Sequence, residues 1–77
     1  MQQTILLFGQ LKEICSGDTV VVEGANDTNE LQQKLFTKYP AMENAKFAIA
    51  VNRKLVTTNT VLDYSSEIAL LPPFSGG

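Results

Sequence analysis

One stretch of this chain has the pattern of a substantial helix, and the other apolar residues fall mostly in short runs typical of strands. The apolar residues of that stretch share one helical face: Leu31, Leu35, Phe36 and Tyr39. Asp27, followed three residues later by Glu30, predicts the N-terminus of the helix, and Pro40 predicts its end. One helix among several strands predicts a sheet packed on that helix.

The strand-like runs are residues 4–8, 18–23, 47–51, 55–56 and 67–71. The first run is continuously apolar, which predicts a central strand covered on both faces. In the third run, large apolar residues alternate with Ala48 and Ala50, as in a strand with two different faces. The alternation leaves open whether the large or the small set lies under the helix.

The order strand, strand, helix, strand, short strand, strand predicts an α+β fold of the β-grasp (ubiquitin-like) type. We expect a mixed sheet of about five strands on one main helix, with the first and last strands side by side at its centre. Residues 1–71 would form this domain, and residues 72–77 a flexible tail that leaves from the centre of the sheet. A chain of 77 residues has no room for a second domain.

The composition argues against several classes of function. The chain has no histidine and its acidic residues occur singly, so we expect neither a catalytic acid–base pair nor a metal site. A net charge of −2 without a Lys/Arg cluster argues against nucleic acid or a membrane surface as partner. The single cysteine, Cys15, is expected to be a small buried hydrophobic residue. Without a possible disulfide, a signal peptide or a spanning segment in view, we expect a cytoplasmic protein.

The six residues 72–77 are unsuited to a core. Pro72 and Pro73 fix φ and have no N–H, so they end the preceding strand and favour an extended exit. Gly76 and Gly77 have no Cβ and can enter a narrow cleft of another protein. An ionised carboxylate at Gly77 is a poor electrophile, so acyl chemistry there requires activation, which points to adenylation with ATP. Since no Walker or Gly-x-Gly-x-x-Gly motif is present, another protein would bind the ATP.

Three segments carry a family resemblance: residues 7–13 (LFGQLKE), 50–56 (AVNRKLV) and 69–77 (ALLPPFSGG). They resemble the small, sulfur-carrying subunit of molybdopterin synthase, a ubiquitin-like β-grasp protein. The resemblance spans nearly the whole chain. Its most specific part is the closing Pro-Pro-x-x-Gly-Gly, whereas residues 17–46 match only in pattern.

The resemblance implies that the chain is a sulfur carrier. An adenylating enzyme with ATP would convert the Gly77 carboxylate into an acyl-adenylate, and sulfur from a cysteine-desulfurase-type donor would then replace AMP and leave a thiocarboxylate. The tail with Gly76 and Gly77 would enter the large synthase subunit and donate sulfur for the dithiolene of molybdopterin, built from cyclic pyranopterin monophosphate. The chain itself would bind no cofactor. The synthase would be a heterotetramer of two small and two large subunits.

The resemblance also implies an apolar interface with the large subunit. Its residues would be Phe8, Leu55, Leu71, Pro72, Pro73 and Phe74. The alternative is that Phe8, Leu55 and Leu71 belong to the core, because periodicity does not distinguish the two. Three other functions stay open: a sulfur carrier of the thiamine pathway, a ubiquitin-like modifier joined to lysines, and a β-grasp binding module. The two prolines and the length favour the molybdenum pathway over the thiamine pathway.

Overall fold

The structure is a computed structural model and describes residues 2–63 and 65–72. In chain order its elements are β1 (Gln2–Leu7), α1 (Leu11–Cys15), β2 (Thr19–Glu23), α2 (Thr28–Lys38), a 3₁₀ helix (Pro40–Asn44), β3 (Ala48–Val51), β4 (Lys54–Val56) and β5 (Ile68–Leu71). Every run that the sequence predicts as a strand contributes a strand, and the predicted main helix is α2. It ends two residues before Pro40, whose ring cannot continue an α-helix.

The strands form one sheet in the order β2-β1-β5-β3-β4. β1 and β5 run parallel, whereas β1–β2, β5–β3 and β3–β4 are antiparallel pairs. The sheet is therefore mixed, and the first and last strands are neighbours near its middle. This arrangement with α2 confirms the predicted β-grasp fold.

The core lies between α2 and one face of the sheet. Its largest fully buried side chains, each less than 2% exposed or at that limit, are Ile5, Leu7, Leu31, Leu35, Met42, Ile68 and Leu70. Burial of each such side chain contributes about 1.5–3 kcal/mol relative to leaving it in water. Because four of them come from β1 and β5, the two central strands are the most firmly held part of the sheet.

The structure defines which face of the sheet each side chain of β3 occupies. Ile49 and Val51 belong to the core cluster, so the large side chains lie under the helix. Ala48 and Ala50 therefore point to the opposite face, where Ala50 and its cross-strand neighbours Leu55 and Ala69 lie in register. The alternative left open by the sequence, with the small residues under α2, is wrong.

The expectation that residues 4–8 form a strand covered on both faces is also wrong. β1 alternates between exposed and buried positions, and Leu6 is 40% exposed while Ile5 is fully buried. The buried residues of α1, α2 and the 3₁₀ helix belong to the same core cluster as Ile5 and Leu7, so within residues 2–63 and 65–72 the helices pack on this one face of the sheet. The apolar run thus combines core positions with positions on an open surface.

The start of α2 follows the predicted capping arrangement. The Oδ1 atom of Asp27 accepts a hydrogen bond from the Glu30 N–H at 2.8 Å. The Glu30 carboxylate in turn accepts from the Asn26 N–H at 3.0 Å, one residue earlier than in the usual reciprocal box. The first bond satisfies a backbone donor that a helix N-terminus leaves without an intrahelical partner, and the second fixes the residue that precedes the N-cap.

Gln3 is a buried polar residue that the sequence does not single out. It is 2% exposed, its Oε1 accepts from the Ala25 N–H at 3.0 Å, and its Nε2 donates to the carbonyls of Ala25 and Asp63 at 3.1 and 3.3 Å. One side chain on β1 thus holds two loops that have no ladder bonds to that strand. These loops precede α2 and β5.

Candidate partner-binding face

The sheet face opposite α2 contains an apolar groove, which we call the open-face groove. Its lining residues are Leu6, Phe8, Ala50, Arg53, Leu55, Glu67, Ala69 and Leu71. The groove encloses about 390 Å³ and crosses β1, β5, β3 and β4. Among the described residues that line it, only Arg53 and Glu67 are charged.

The register of the strands explains why these residues meet. Ala69 is the cross-strand partner of Leu6 on one side and of Ala50 on the other, and Ala50 is also opposite Leu55. Side chains opposite each other in a sheet lie on the same face. Two alanines at the centre with larger leucines to either side give the surface its concave shape.

Several large apolar residues that line the open-face groove are much more exposed than such residues usually are. Leu55 is 60% exposed, Phe8 43% and Leu6 40%, while Leu71 is half-buried. Contiguous exposed apolar surface of this kind is typical of sites that contact another protein, a membrane or a ligand. The structure thus places Phe8, Leu55 and Leu71 together on one surface rather than in the core.

Leu6 also lines the open-face groove, although sequence analysis did not select it. The signal that identifies it is the period of two in a strand, because Leu6 and Phe8 occupy alternate positions and must share a face. That signal was hidden by the neighbouring core residues, which make the whole run apolar.

The turn between β3 and β4 fixes the polar rim of the groove. Asn52 and Arg53 both have positive φ, 52° and 69°, as a two-residue type I′ hairpin requires. Asn52 donates its N–H to the Glu67 carbonyl at 2.7 Å, and its Oδ1 accepts from the Glu67 N–H at 2.9 Å. The Arg53 Nε lies 3.1 Å from Glu67 Oε1. These contacts tie the turn to the beginning of β5.

The chain leaves the groove at the far end of β5. The Phe8 N–H donates to the Leu70 carbonyl at 3.1 Å, so the pairing of β1 with β5 continues one residue beyond β1. Pro72 follows directly and is half-buried. The predictions for Pro73, Phe74, Gly76 and Gly77 lie outside the described residues.

Cys15 behaves as the sequence predicts. It is 7% exposed within the core, and burial raises the pKa of its thiol. A raised pKa keeps the thiol protonated at neutral pH, so it is not a nucleophile.

The described residues contain neither a cluster of metal-binding side chains nor a membrane-spanning helix. Over 2–63 and 65–72, no three His, Cys, Asp or Glu side chains are close enough to hold a metal ion. No helix in this part of the chain is both long and apolar enough to span a membrane.

The chain has relatives of known name and structure. The molybdopterin synthase sulfur carrier subunit of Escherichia coli (strain K12) is 32% identical, and the match covers 95% of this chain and 96% of that one. A chain from the complex of subunits 1 and 2 of molybdopterin-converting factor of Helicobacter pylori is 30% identical with a TM-score of 0.72, and the match covers both chains fully.

A further solved structure shows the same fold at lower identity. The SAMP1 protein of Haloferax volcanii superposes with a TM-score of 0.81 over the full length of both chains at 24% identity, which shows the fold alone. The sequence model of the ThiS family matches residues 5–77, nearly the whole chain. This chain is therefore a member of the ThiS family, with a ubiquitin-like β-grasp fold.

Proposed function

We propose that this chain is the sulfur-carrying small subunit of a molybdopterin synthase. The observation that carries the proposal is the open-face groove, an exposed apolar surface that includes β5, the strand that directly precedes the C-terminal segment. A small domain with such a surface is suited to dock on a partner and present its C-terminus there. Relatives at 31 and 32% identity that bear the name of this subunit support the same function.

The proposed chemistry takes place on the Gly77 carboxylate. ATP reacts with this carboxylate to give an acyl-adenylate and pyrophosphate, since a free carboxylate is a poor electrophile. Sulfide-level sulfur from a donor then attacks the acyl carbon and displaces AMP, which leaves a thiocarboxylate on Gly77. In the synthase, two such transfers supply the two sulfurs of the dithiolene of molybdopterin, and hydrolysis returns the carboxylate of Gly77 each time. Gly76 allows the backbone to approach the reacting pterin closely.

The enzymes that act on Gly77 supply the catalytic groups. The sequence has no histidine, and Cys15 is buried with a raised thiol pKa, so the chain can form neither a Ser–His nor a Cys–His pair. We assign ATP binding to an adenylating and sulfurating enzyme, and the pterin site to the large synthase subunit. The chain itself would bind neither a cofactor nor a metal.

The large subunit would dock on the open-face groove. Phe8 and Leu55 are the exposed apolar residues to be covered, Leu71 is half-buried beside them, and Leu6 extends the same surface. Pro72, Pro73 and Phe74 would continue this interface towards the reaction site. A relative's solved complex of subunits 1 and 2 supports a large subunit as partner. We propose that the assembly is a heterotetramer of two small and two large subunits.

The proposal is tested by the intact mass of the untagged chain after incubation with an adenylating enzyme, ATP and a sulfide source. We expect a mass gain that corresponds to replacement of one oxygen by sulfur, located at Gly77 by fragmentation. An unchanged mass, with the enzyme active on a known carrier, would contradict the proposal. A chain that lacks Gly77 is the matched control, which should fold normally and gain no sulfur.

A second measurement separates sulfur transfer from protein modification. The thiocarboxylated chain, mixed with a large synthase subunit and cyclic pyranopterin monophosphate, should yield molybdopterin. Covalent adducts of the chain on lysines of other proteins, without molybdopterin, would instead identify a modifier. Product in a thiazole-forming reaction alone would identify a thiamine-pathway carrier.

A further inference from the structure

Gly9 lies where the paired central strands end and the C-terminal segment begins. Its φ is +62°, a conformation that side-chain-bearing residues rarely adopt. A Cβ atom built on Gly9 would lie only 2.5 Å from the Cγ atom of Pro72. The Pro72 ring therefore occupies the space that any side chain at position 9 would need.

The pairing of β1 with β5 explains why these two residues meet. Leu7 is the parallel partner of Leu70, so two further steps along both strands bring Gly9 beside Pro72. After the bond from the Phe8 N–H to the Leu70 carbonyl, the next bond of a parallel ladder would come from the N–H of residue 72. Proline has no N–H, so the ladder ends there. Beyond the last ladder bond, the contact between Pro72 and Gly9 restrains the course of the chain.

We propose that Gly9 is a positioning residue for sulfur transfer. The space left by its missing side chain accommodates the Pro72 ring, and this Gly9–Pro72 contact sets the course of the backbone at Pro72, from which residues 73–77 continue. This inference rests on the proposed function. An alanine at position 9 would force Pro72 or Gly9 to move by about 0.9 Å to reach an ordinary contact of 3.4 Å. A displacement of this size at the base of the segment would misplace Gly77 in the partner's reaction site.

The experiment uses the full chain with a thiocarboxylate at Gly77, installed by hydrosulfide cleavage of an intein fusion so that no activating enzyme is needed. Molybdopterin formation is followed with large subunit and cyclic pyranopterin monophosphate, as a function of large-subunit concentration. For Gly9→Ala we expect the rate at saturation to fall about tenfold or more, as misplacement by about 1 Å commonly does. The half-saturating concentration should change much less than the rate, since the residues that line the open-face groove are not altered.

Two further variants separate positioning from loss of stability. Gly24→Ala introduces the same kind of backbone strain at φ +52°, at the end of edge strand β2, and should transfer sulfur at the wild-type rate. Pro72→Ala removes the Cγ atom that would clash, so Gly9→Ala/Pro72→Ala should transfer at the rate of Pro72→Ala alone. A wild-type rate for Gly9→Ala, or a double variant as slow as Gly9→Ala, would overturn the proposal.

The inference can also be tested if either the variant or the proposed function fails. If Gly9→Ala does not fold, Pro72→Ala tests the proposal instead. A slower rate at saturation supports a positioning role for the Gly9–Pro72 contact, and a wild-type rate overturns it. If the wild-type chain itself gives no molybdopterin, the proposed function fails, and the Gly9–Pro72 contact is tested by amide NMR. Gly9→Ala should then shift the Leu70 and Leu71 signals, and Pro72→Ala should reverse the shifts. Unshifted Leu70 and Leu71 signals in Gly9→Ala would show that the Gly9–Pro72 contact does not restrain the chain.

Discussion

Gln3 is a buried side chain whose hydrogen bonds hold two loops to the central strand β1. Replacement by leucine would keep the volume approximately but leave the N–H and carbonyl of Ala25 without their partner. An unpaired buried backbone group costs about 1–3 kcal/mol. We therefore expect Gln3→Leu to lower the free energy of unfolding by about this amount, measured by urea denaturation.

The neighbouring residue Gln2 provides the matched control. Its side chain is exposed, and its hydrogen bond to Glu23 is long, at 3.5 Å. Gln2→Leu should therefore change stability by less than about 0.5 kcal/mol, as is usual for surface substitutions. Equal losses in the two variants would show that the bonds of Gln3 are not what holds the loops.

Asp63 holds the turn before β5 through its carboxylate, which accepts hydrogen bonds from Ser65 Oγ at 2.6 Å, Ser65 N at 2.8 Å and Ser66 Oγ at 3.4 Å. These bonds, chiefly those from Ser65, lower the pKa of the Asp63 carboxyl. Since the folded pKa lies below the unfolded value of about 3.9, the stabilisation is present above that value and is lost as pH falls through the folded pKa.

This sign predicts how the wild-type chain and Asp63→Asn differ as pH falls. The stability advantage of the wild type should be constant near neutral pH and shrink below about pH 4. Urea unfolding at a series of pH values measures it. A difference between the two chains that does not change with pH would show that the carboxylate has no special role in the turn.

The N-terminus of α2 gives a prediction for the main helix. Asp27 accepts the Glu30 N–H at 2.8 Å, and loss of such a cap costs about 0.5–2 kcal/mol. Asp27→Ala should lower the free energy of unfolding by this amount, whereas Asp27→Asn keeps an acceptor oxygen and should lose much less. Thermal unfolding of both variants measures the difference. An asparagine variant as unstable as the alanine variant would mean that charge, rather than the bond, matters.

Local patterns predicted the positions of the helix and strands but not which face of a strand is buried. The capping sequence and Pro40 bounded α2 correctly, because both act within one or two turns of the chain. For β3, alternation alone could not show that Ile49 and Val51 face the helix, since this depends on contacts with distant residues. For β1, a continuous apolar run predicts a strand covered on both faces, whereas Leu6 lines the open-face groove.

The two faces of the sheet differ in what covers them. One face is closed by α2, and over residues 2–63 and 65–72 the other has no helix above it and has exposed leucine and phenylalanine side chains. The sequence predicted the order of the elements, and the family resemblance indicated three apolar residues that share this surface: Phe8, Leu55 and Leu71. Their exposure could not be predicted, because core residues and partner-contact residues are chemically alike. Only the three-dimensional arrangement separates the two roles.

The open-face groove predicts how the proposed complex responds to a charge. Leu55 is 60% exposed in the short edge strand β4, so Leu55→Glu should fold with little loss of stability. A carboxylate in an apolar interface would lose its hydration without gaining a partner. We expect binding to the large subunit to weaken by at least about thirtyfold, the effect of an interface hot spot worth about 2 kcal/mol. Isothermal titration calorimetry with the purified large subunit measures it.

The matched control is Val61→Glu, which adds the same charge at a more exposed apolar residue outside the groove. Val61 is 83% exposed and lies near the start of α2, where its backbone pairs with Asp27. Its substitution should leave the affinity for the large subunit unchanged. If Leu55→Glu binds as tightly as the wild type, or both variants lose affinity equally, the groove is not the docking surface. Loss confined to Leu55→Glu, with wild-type thermal stability, would instead assign the open face of the sheet to the partner.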